Sequence, residues 1–316
     1  MKVHTAFRAL TLILIGTIAT RAMAYEEDMH FQLTYVLCRA AGLTAPEALK
    51  VAAVDQGMDD SIYVTATSFK DGILYNEEAE WKWHALDLGG RMEAKGIVAR
   101  KDELFKIALT RGTDADKLFC LGVFFHYQQD TWSHRHHYDG GEHSYDRYTT
   151  YNTPHGHFID GHLPDRLPYD PVAALMCLED GLKYLNRFVV EGLHRQPRPF
   201  LRDYVSKGGS VLANWQISKA GEYFNTLTED GGYLTPRRFL IDLVRVPVFY
   251  YPATKDIWGN SVPDEIGYDD CRRVLQNLCN NFRPEIGEDI VIPPKQTKIN
   301  EGYFVLKTAE IEKRMK

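Results

Sequence analysis

A stripe of metal-ligand-type side chains follows the most apolar helix that the sequence predicts. Thr113 and the acids after it form a helix start, and the helix continues through Leu118, Phe119, Leu121, Val123, Phe124 and Phe125. His126, Asp130 and His134 then recur every four residues and share one helix face. Burying such groups without partners costs on the order of several kcal/mol. The stripe is therefore expected either to face water or to face a bound ion.

Each histidine also has a plainer interpretation. His126 alone fits a core histidine on the polar edge of an amphipathic helix. Eight of the twelve histidines lie between His126 and His162. The run of His134, His136, His137 and His143 also fits a hydrated surface that responds to pH. Three aligned ligand-type residues nevertheless favour a metal site, since imidazole and carboxylate groups are the usual non-thiol ligands of zinc.

The remaining patterns predict an all-α fold. Thr44 and Glu47 have capping-box spacing, and Asp170-Pro171 pairs a capping acid with a first-turn proline. Apolar periodicity predicts further helices over residues 30–41, 44–59, 170–189 and 268–282. Residues 138–169 indicate a long functional loop. The pattern weakens after Gly208, so we expect a multi-helix bundle with long loops and an irregular C-terminal third.

The first 24 residues have the features of a signal peptide. Lys2 and Arg8 precede a short apolar run, and Ala22-Met23-Ala24 supplies a small-x-small cleavage site. An uncleaved membrane anchor is the alternative, although a span needs roughly 20 apolar residues. We therefore expect a secreted protein, extracellular or periplasmic, with one domain over residues 25–316 and no span in the mature chain.

Charge and cysteine content narrow the function classes. Loss of Lys2, Arg8 and Arg21 would change the net charge from −6 to about −9. An acidic surface argues against nucleic acid as the partner. The five cysteines are too scattered for a disulfide framework, and Cys38, Cys120 and Cys177 are expected to be buried thiols.

The histidine and aspartate pattern resembles that of the zinc-dependent phospholipases C and the secreted single-strand-specific zinc nucleases, and is closest to an uncharacterised branch of that superfamily. The resemblance covers roughly residues 25–190. It rests on the central motif from His126 to Asp130 and on the segments 30–37, 58–60 and 156–166. It implies an all-helical fold with three zinc ions. The implied ligands are His30, Asp59 (with Asp55 or Asp60 as rivals), His84, His126, Asp130, and His134 or His136.

The two ends of the family pattern differ here. Cleavage after Ala24 would expose Tyr25 where the nucleases carry a zinc-binding Trp, five residues before His30. The family's last His-x-x-x-carboxylate pair has no match, and His157 with Asp160 is the nearest substitute. His155 or His162 are alternatives to that pair. The chain is therefore expected to hold between one and three ions.

The resemblance implies hydrolysis of a phosphoester. Paired zinc ions make hydroxide available at neutral pH, and Asp59 is the candidate that orients or deprotonates the attacking water. A phosphoester such as a phospholipid is the expected substrate, and nucleic acid is less favoured. The competing hypothesis is a secreted metal-binding or interaction protein that performs no turnover.

Overall fold

The computed structural model describes eleven parts of the chain: residues 28–61, 63–64, 77–86, 94–134, 171–198, 239–240, 242–244, 253–255, 261–263, 268–295 and 300–315. The predicted signal peptide and the predicted loop at 138–169 lie outside these ranges. Within them, no helix is long and apolar enough to cross a bilayer.

Helices dominate the N-terminal half. A π-helical turn, Asp28–Leu33, leads into α1. The α-helices are α1 (Thr34–Ala41), α2 (Ala45–Asp60), α3 (Glu77–Trp83), α4 (Ala94–Thr110), α5 (Asp114–Ser133) and α6 (Pro171–Arg187), and a second π-helical turn, Phe188–Gly192, extends α6.

The C-terminal part contains a short antiparallel ribbon and three more helices. The ribbon pairs β1 (Ala253–Lys255) with β2 (Ser261–Pro263). The helices are α7 (Tyr268–Asn281), α8 (Arg283–Ile286) and α9 (Glu301–Glu312).

The all-α expectation is confirmed, since the ribbon is the sole sheet in the described residues. The predicted helix starts agree with their caps: Glu47 Oε2 accepts the backbone N–H of Thr44 at 2.8 Å, and the Thr113 hydroxyl accepts that of Asp116 at 3.1 Å. Helices α3, α4, α8 and α9 were not predicted. In α9 the exposed Val305 and Leu306 obscure the helical pattern.

Helix α5 is the centre of the bundle and packs against α2, α4 and α6. Its approach to α2 is close at Gly122, where a Cβ atom would lie 2.6 Å from Val54 Cβ and 2.7 Å from Val51 O. A side chain here would separate the two helices. The apolar core surrounds this crossing, and all five cysteines are buried thiols that form no disulfide, as expected for Cys38, Cys120 and Cys177.

The last helix is bound to the N-terminal bundle by polar contacts along its length. At its start, Glu301 accepts a hydrogen bond of 2.8 Å from the Ser61 hydroxyl, and at its end Glu312 pairs with Lys82 at 2.7 Å. Between them, Lys307 pairs with Asp116 at 2.7 Å, and Glu310 with Arg111. Helix α9 therefore joins the ends of α2, α3, α4 and α5.

Candidate metal centre

Four separate segments bring histidine and aspartate side chains to one buried point. His30 lies in the first π-helical turn, Asp59 on the last turn of α2, and His84 directly after α3. His126 and Asp130 lie one turn apart on α5. These five side chains are at most 2% exposed. Helical spacing therefore places the α5 pair, and tertiary packing adds the other three.

Four donor atoms surround one position. The Nδ1 atom of His84 lies 3.5 Å from Asp59 Oδ1 and 3.4 Å from Asp130 Oδ2. The Nε2 atom of His126 lies 3.6 Å from the same Asp59 oxygen and 3.3 Å from the same Asp130 oxygen. The two ring nitrogens are 2.9 Å apart.

These separations fit a tetrahedral cation site. With metal–ligand bonds of about 2.0–2.1 Å, the corners of a tetrahedron lie about 3.3–3.4 Å apart, and the distances here range from 2.9 to 3.6 Å. Asp59 and Asp130 also supply two carboxylates in a closed interior, where a cation offsets their charge. The side chains could therefore hold a metal ion between them.

His30 marks a second position beside the first. Its Nε2 atom lies 3.6 Å from Asp59 Oδ2 and 3.6 Å from Asp130 Oδ1. Each aspartate thus directs one oxygen toward His84 and His126 and the other toward His30. His126 also belongs to a candidate donor group with His30 and Asp130. The two candidate donor groups therefore lie side by side and have His126 in common.

Buried polar side chains contact the Nδ1 side of the His30 ring. Its Nδ1 atom lies 2.9 Å from Asp55 Oδ1 and 2.6 Å from Gln129 Oε1. The Thr34 hydroxyl donates to Asp55 Oδ2 at 2.7 Å and accepts from Gln129 Nε2 at 2.7 Å. Because Asp55 lies one turn before Asp59, α2 supplies both the donor and the support.

His84 is held by backbone groups instead. Its Nε2–H donates to the Val64 carbonyl at 2.8 Å, which leaves Nδ1 free to face the centre. The next residue, Ala85, has a left-handed φ of 48°, and the Leu86 N–H donates back to the Glu80 carbonyl at 3.1 Å. This turn ends α3 and orients the His84 ring.

The charges around each ring give the three histidines different pKa values. Burial alone would lower the pKa of His30, but Asp55 and Asp59 outweigh it and raise the pKa to about 9. Burial lowers the pKa of His84 to about 4. Burial and the positive charges of His30 and His84 hold the pKa of His126 well below its usual range. Burial raises the pKa of Asp55 to about 6, although His30 opposes that shift.

The other predicted site residues lie beside the centre or outside the described ranges. His134 is buried at the end of α5, where its Nδ1 lies 3.1 Å from the His84 carbonyl oxygen, so its role as a ligand stays a prediction. Asp60, a rival of Asp59, instead pairs with Lys295 at 3.6 Å. The remaining predicted ligands lie outside the described residues: Tyr25, His136, His157 and Asp160.

Three contributors went unnoticed in the sequence. Thr34, Gln129 and the Val64 carbonyl orient the ligand histidines. Gln129 precedes Asp130, so its position beside the stripe was a signal that could have been used. A backbone carbonyl and a lone threonine carry no such signal.

A family profile described as "Family of unknown function (DUF6765)" matches residues 25–99. The matched segment includes His30, Asp59 and His84, whereas His126 and Asp130 lie beyond it. No curated protein and no solved structure matches the chain.

Proposed function

We propose that the protein is a zinc-dependent hydrolase of phosphoester bonds, with chemistry like that of the phospholipases C. The observation that carries the proposal is the orientation of Asp59 and Asp130. Each aspartate directs one carboxylate oxygen toward His30 and the other toward His84. Paired cations about 3.5–4 Å apart are a recurring device of phosphoester hydrolysis. Two bridging carboxylates are well suited to hold such a pair.

The donor chemistry favours zinc. Imidazole nitrogens and carboxylate oxygens at tetrahedral separations suit this ion, whereas calcium and magnesium take mainly oxygen ligands. Zinc ions, when bound, would lower the pKa of coordinated water and offset charge on a phosphoryl group.

The protein side chains have distinct parts in this proposal. His84 and His126 hold one position, His30 holds the other, and Asp59 and Asp130 supply the negative charge between them. Both Asp59 oxygens lie 3.5–3.6 Å from imidazole nitrogens. That geometry favours a bridging ligand over the general base that we expected from the sequence.

A phosphoester is the proposed substrate, with a phospholipid headgroup as one source. The mature chain would be secreted and acidic, and an acidic surface disfavours a polyanionic nucleic acid. We keep export as part of the proposal on the strength of residues 1–24 alone.

A second candidate is a structural metal centre without turnover. It is favoured by burial, because the five donor side chains are at most 2% exposed. Structural zinc sites are closed by four protein ligands, whereas catalytic sites keep an open position.

Turnover of a chromogenic phosphodiester by the secreted mature chain separates the two candidates. We expect hydrolysis that EDTA abolishes and zinc restores, and that His126→Ala eliminates. His194→Ala, which changes an exposed histidine outside the centre, is the matched control. Zinc retained at full occupancy without any turnover of phosphodiester or phosphomonoester would replace the hydrolase with the structural centre.

A further inference from the structure

We propose that Asp55 is a positioning residue for His30: with Thr34 and Gln129 it determines which ring nitrogen of His30 faces the metal centre, and so sets the affinity of the ion on the His30 side. The inference rests on the metal-binding part of the proposed function and is independent of turnover.

The direction of the hydrogen bonds around His30 carries the argument. Gln129 Nε2 donates to the Thr34 hydroxyl, and that hydroxyl donates to Asp55 Oδ2, each at 2.7 Å. The second Asp55 oxygen and Gln129 Oε1 then both face His30 Nδ1. Two acceptors at one nitrogen require that Nδ1 carries the proton.

The consequence lies on the other side of the ring. A neutral imidazole with its proton on Nδ1 has its lone pair on Nε2, the atom that lies 3.6 Å from both Asp59 and Asp130. The ring is fully buried and bonded at Nδ1 to two different helices. Asp55 therefore fixes the tautomer and the orientation together, as carboxylate partners of metal-bound histidines do.

Asp55→Asn tests this role sharply because the network constrains the new amide. The Thr34 hydroxyl lies closer to Asp55 Oδ2, at 2.7 Å, than to its other acceptor, the Met29 carbonyl, at 3.2 Å, so the amide oxygen of the asparagine is expected to face Thr34. The NH2 group of the asparagine then faces His30 Nδ1 and favours the tautomer with the proton on Nε2. In that tautomer Nε2 has no lone pair with which to bind a metal. The side chain keeps its volume, so the core packing is preserved.

The experiment titrates metal-free full-length mature protein with Zn²⁺ by calorimetry and with Co²⁺ by visible absorption. His30→Ala identifies the ion on the His30 side by removing it. We expect Asp55→Asn to weaken that same ion about 10–100-fold and to change its Co²⁺ spectrum. The ion at His84 and His126 should lose less affinity, because Asp55 Oδ1 lies 3.5 Å from His126 Nδ1 without a hydrogen bond to it. Asp60→Asn is the matched control, since Asp60 faces Lys295, and should leave both ions unchanged.

A milder variant covers the case in which Asp55→Asn fails to fold, as judged by circular dichroism. Thr34→Val removes the hydroxyl that donates to Asp55 and should weaken the same ion about fivefold. Unchanged affinity and spectrum in a folded variant would overturn the positioning role and leave the proposed metal centre standing. Wild-type protein that binds no ion would overturn both.

Discussion

The two sides of the candidate metal centre share Asp59 and Asp130 but support their histidines differently. His30 is held by the side chains of Asp55 and Gln129, whereas His84 is held by the backbone carbonyl of Val64. The charged support raises the pKa of His30 to about 9, and burial beside a neutral carbonyl lowers that of His84 to about 4.

The difference shows that similar ligand positions can have opposite electrostatics. A side-chain carboxylate strengthens a ligand but also attracts a competing proton, and a carbonyl orients the ring without adding a full charge. The His30 side is therefore open to adjustment by substitution, whereas the His84 side depends on the path of the backbone.

The largest expected effect comes from Asp130→Asn, which removes a ligand charge common to both sides. We expect loss of both ions and of any phosphodiesterase activity, because the neutral amide no longer offsets a divalent cation. Helical content should persist, since α5 is stabilised by its apolar face. Elemental analysis, activity and circular dichroism measure the three quantities.

Asp102→Asn, on the exposed face of α4, is the control for Asp130→Asn and should be silent. His143→Ala, in the histidine-rich segment after α5, should also be nearly silent. Full zinc content in Asp130→Asn with loss in His143→Ala would move the site to the histidines after α5.

Gly122→Ala tests the helix crossing on which both sides depend. The new methyl group would overlap Val54 and the Val51 carbonyl, and such overpacking costs about 1–3 kcal/mol of unfolding free energy. Since Asp59 and Asp130 lie on the two crossing helices, metal affinity should fall on both sides. Gly112→Ala, with no atom within 4 Å of its added Cβ, should unfold like the wild type.

The pH dependence of zinc affinity should differ between the two sides. In metal-free protein at pH 7, His30, whose pKa is about 9, is a doubly protonated imidazolium, whereas His84, whose pKa is about 4, is a neutral imidazole with one N–H. Zinc at the His30 side must displace one proton of that imidazolium, so its apparent affinity should rise about tenfold per pH unit up to about pH 9. The affinity at the His84 side should stay nearly flat above about pH 5.

Calorimetry at pH 7 in buffers of different ionisation enthalpy counts the protons released with each ion. Equal proton release from both sides would contradict the assigned charges. The raised pKa of His30 also stabilises the metal-free fold below the unfolded value of about 6.5. That contribution should disappear as the pH rises through 9.

The smallest expected effect is that of Ala85→Gly beside His84. A left-handed φ of 48° strains alanine, and glycine would relieve the strain at the cost of a more flexible unfolded chain, for a net gain below about 1 kcal/mol. Thermal unfolding measures it. His194→Gly, at a φ of 55° away from the centre, should show a similar gain, and a change in zinc affinity confined to Ala85→Gly would show that this turn holds the ligand.

Much of the fold follows from local signals. The caps at Thr44 and Thr113 and the Asp170-Pro171 start locate α2, α5 and α6 because a helix end requires specific donors and acceptors. Helix α4 has apolar residues at Ile97, Leu104 and Ala108 in helical register, but no recognised start signal preceded it. Helix α9 was missed because part of its apolar surface is exposed.

The candidate site likewise has residues that local sequence patterns predict and residues that they do not. Helical periodicity identified His126 and Asp130, since residues four apart share a face. His30 and His84 came from the resemblance, because the spacing between helices depends on packing that no local pattern encodes. Among Asp55, Asp59 and Asp60, tertiary structure decides: Asp59 faces the donors, Asp55 supports His30, and Asp60 pairs with Lys295.

The contacts of α9 bear on the order in which a growing chain can fold. The donors identified among the described residues all precede residue 131, yet the helix that joins the ends of α2, α3, α4 and α5 begins at Glu301. During synthesis, the candidate ligands therefore emerge from the ribosome long before α9, whose polar contacts connect their helices. A chain truncated before Glu301 would contain the five described donors but would lack the contacts of α9.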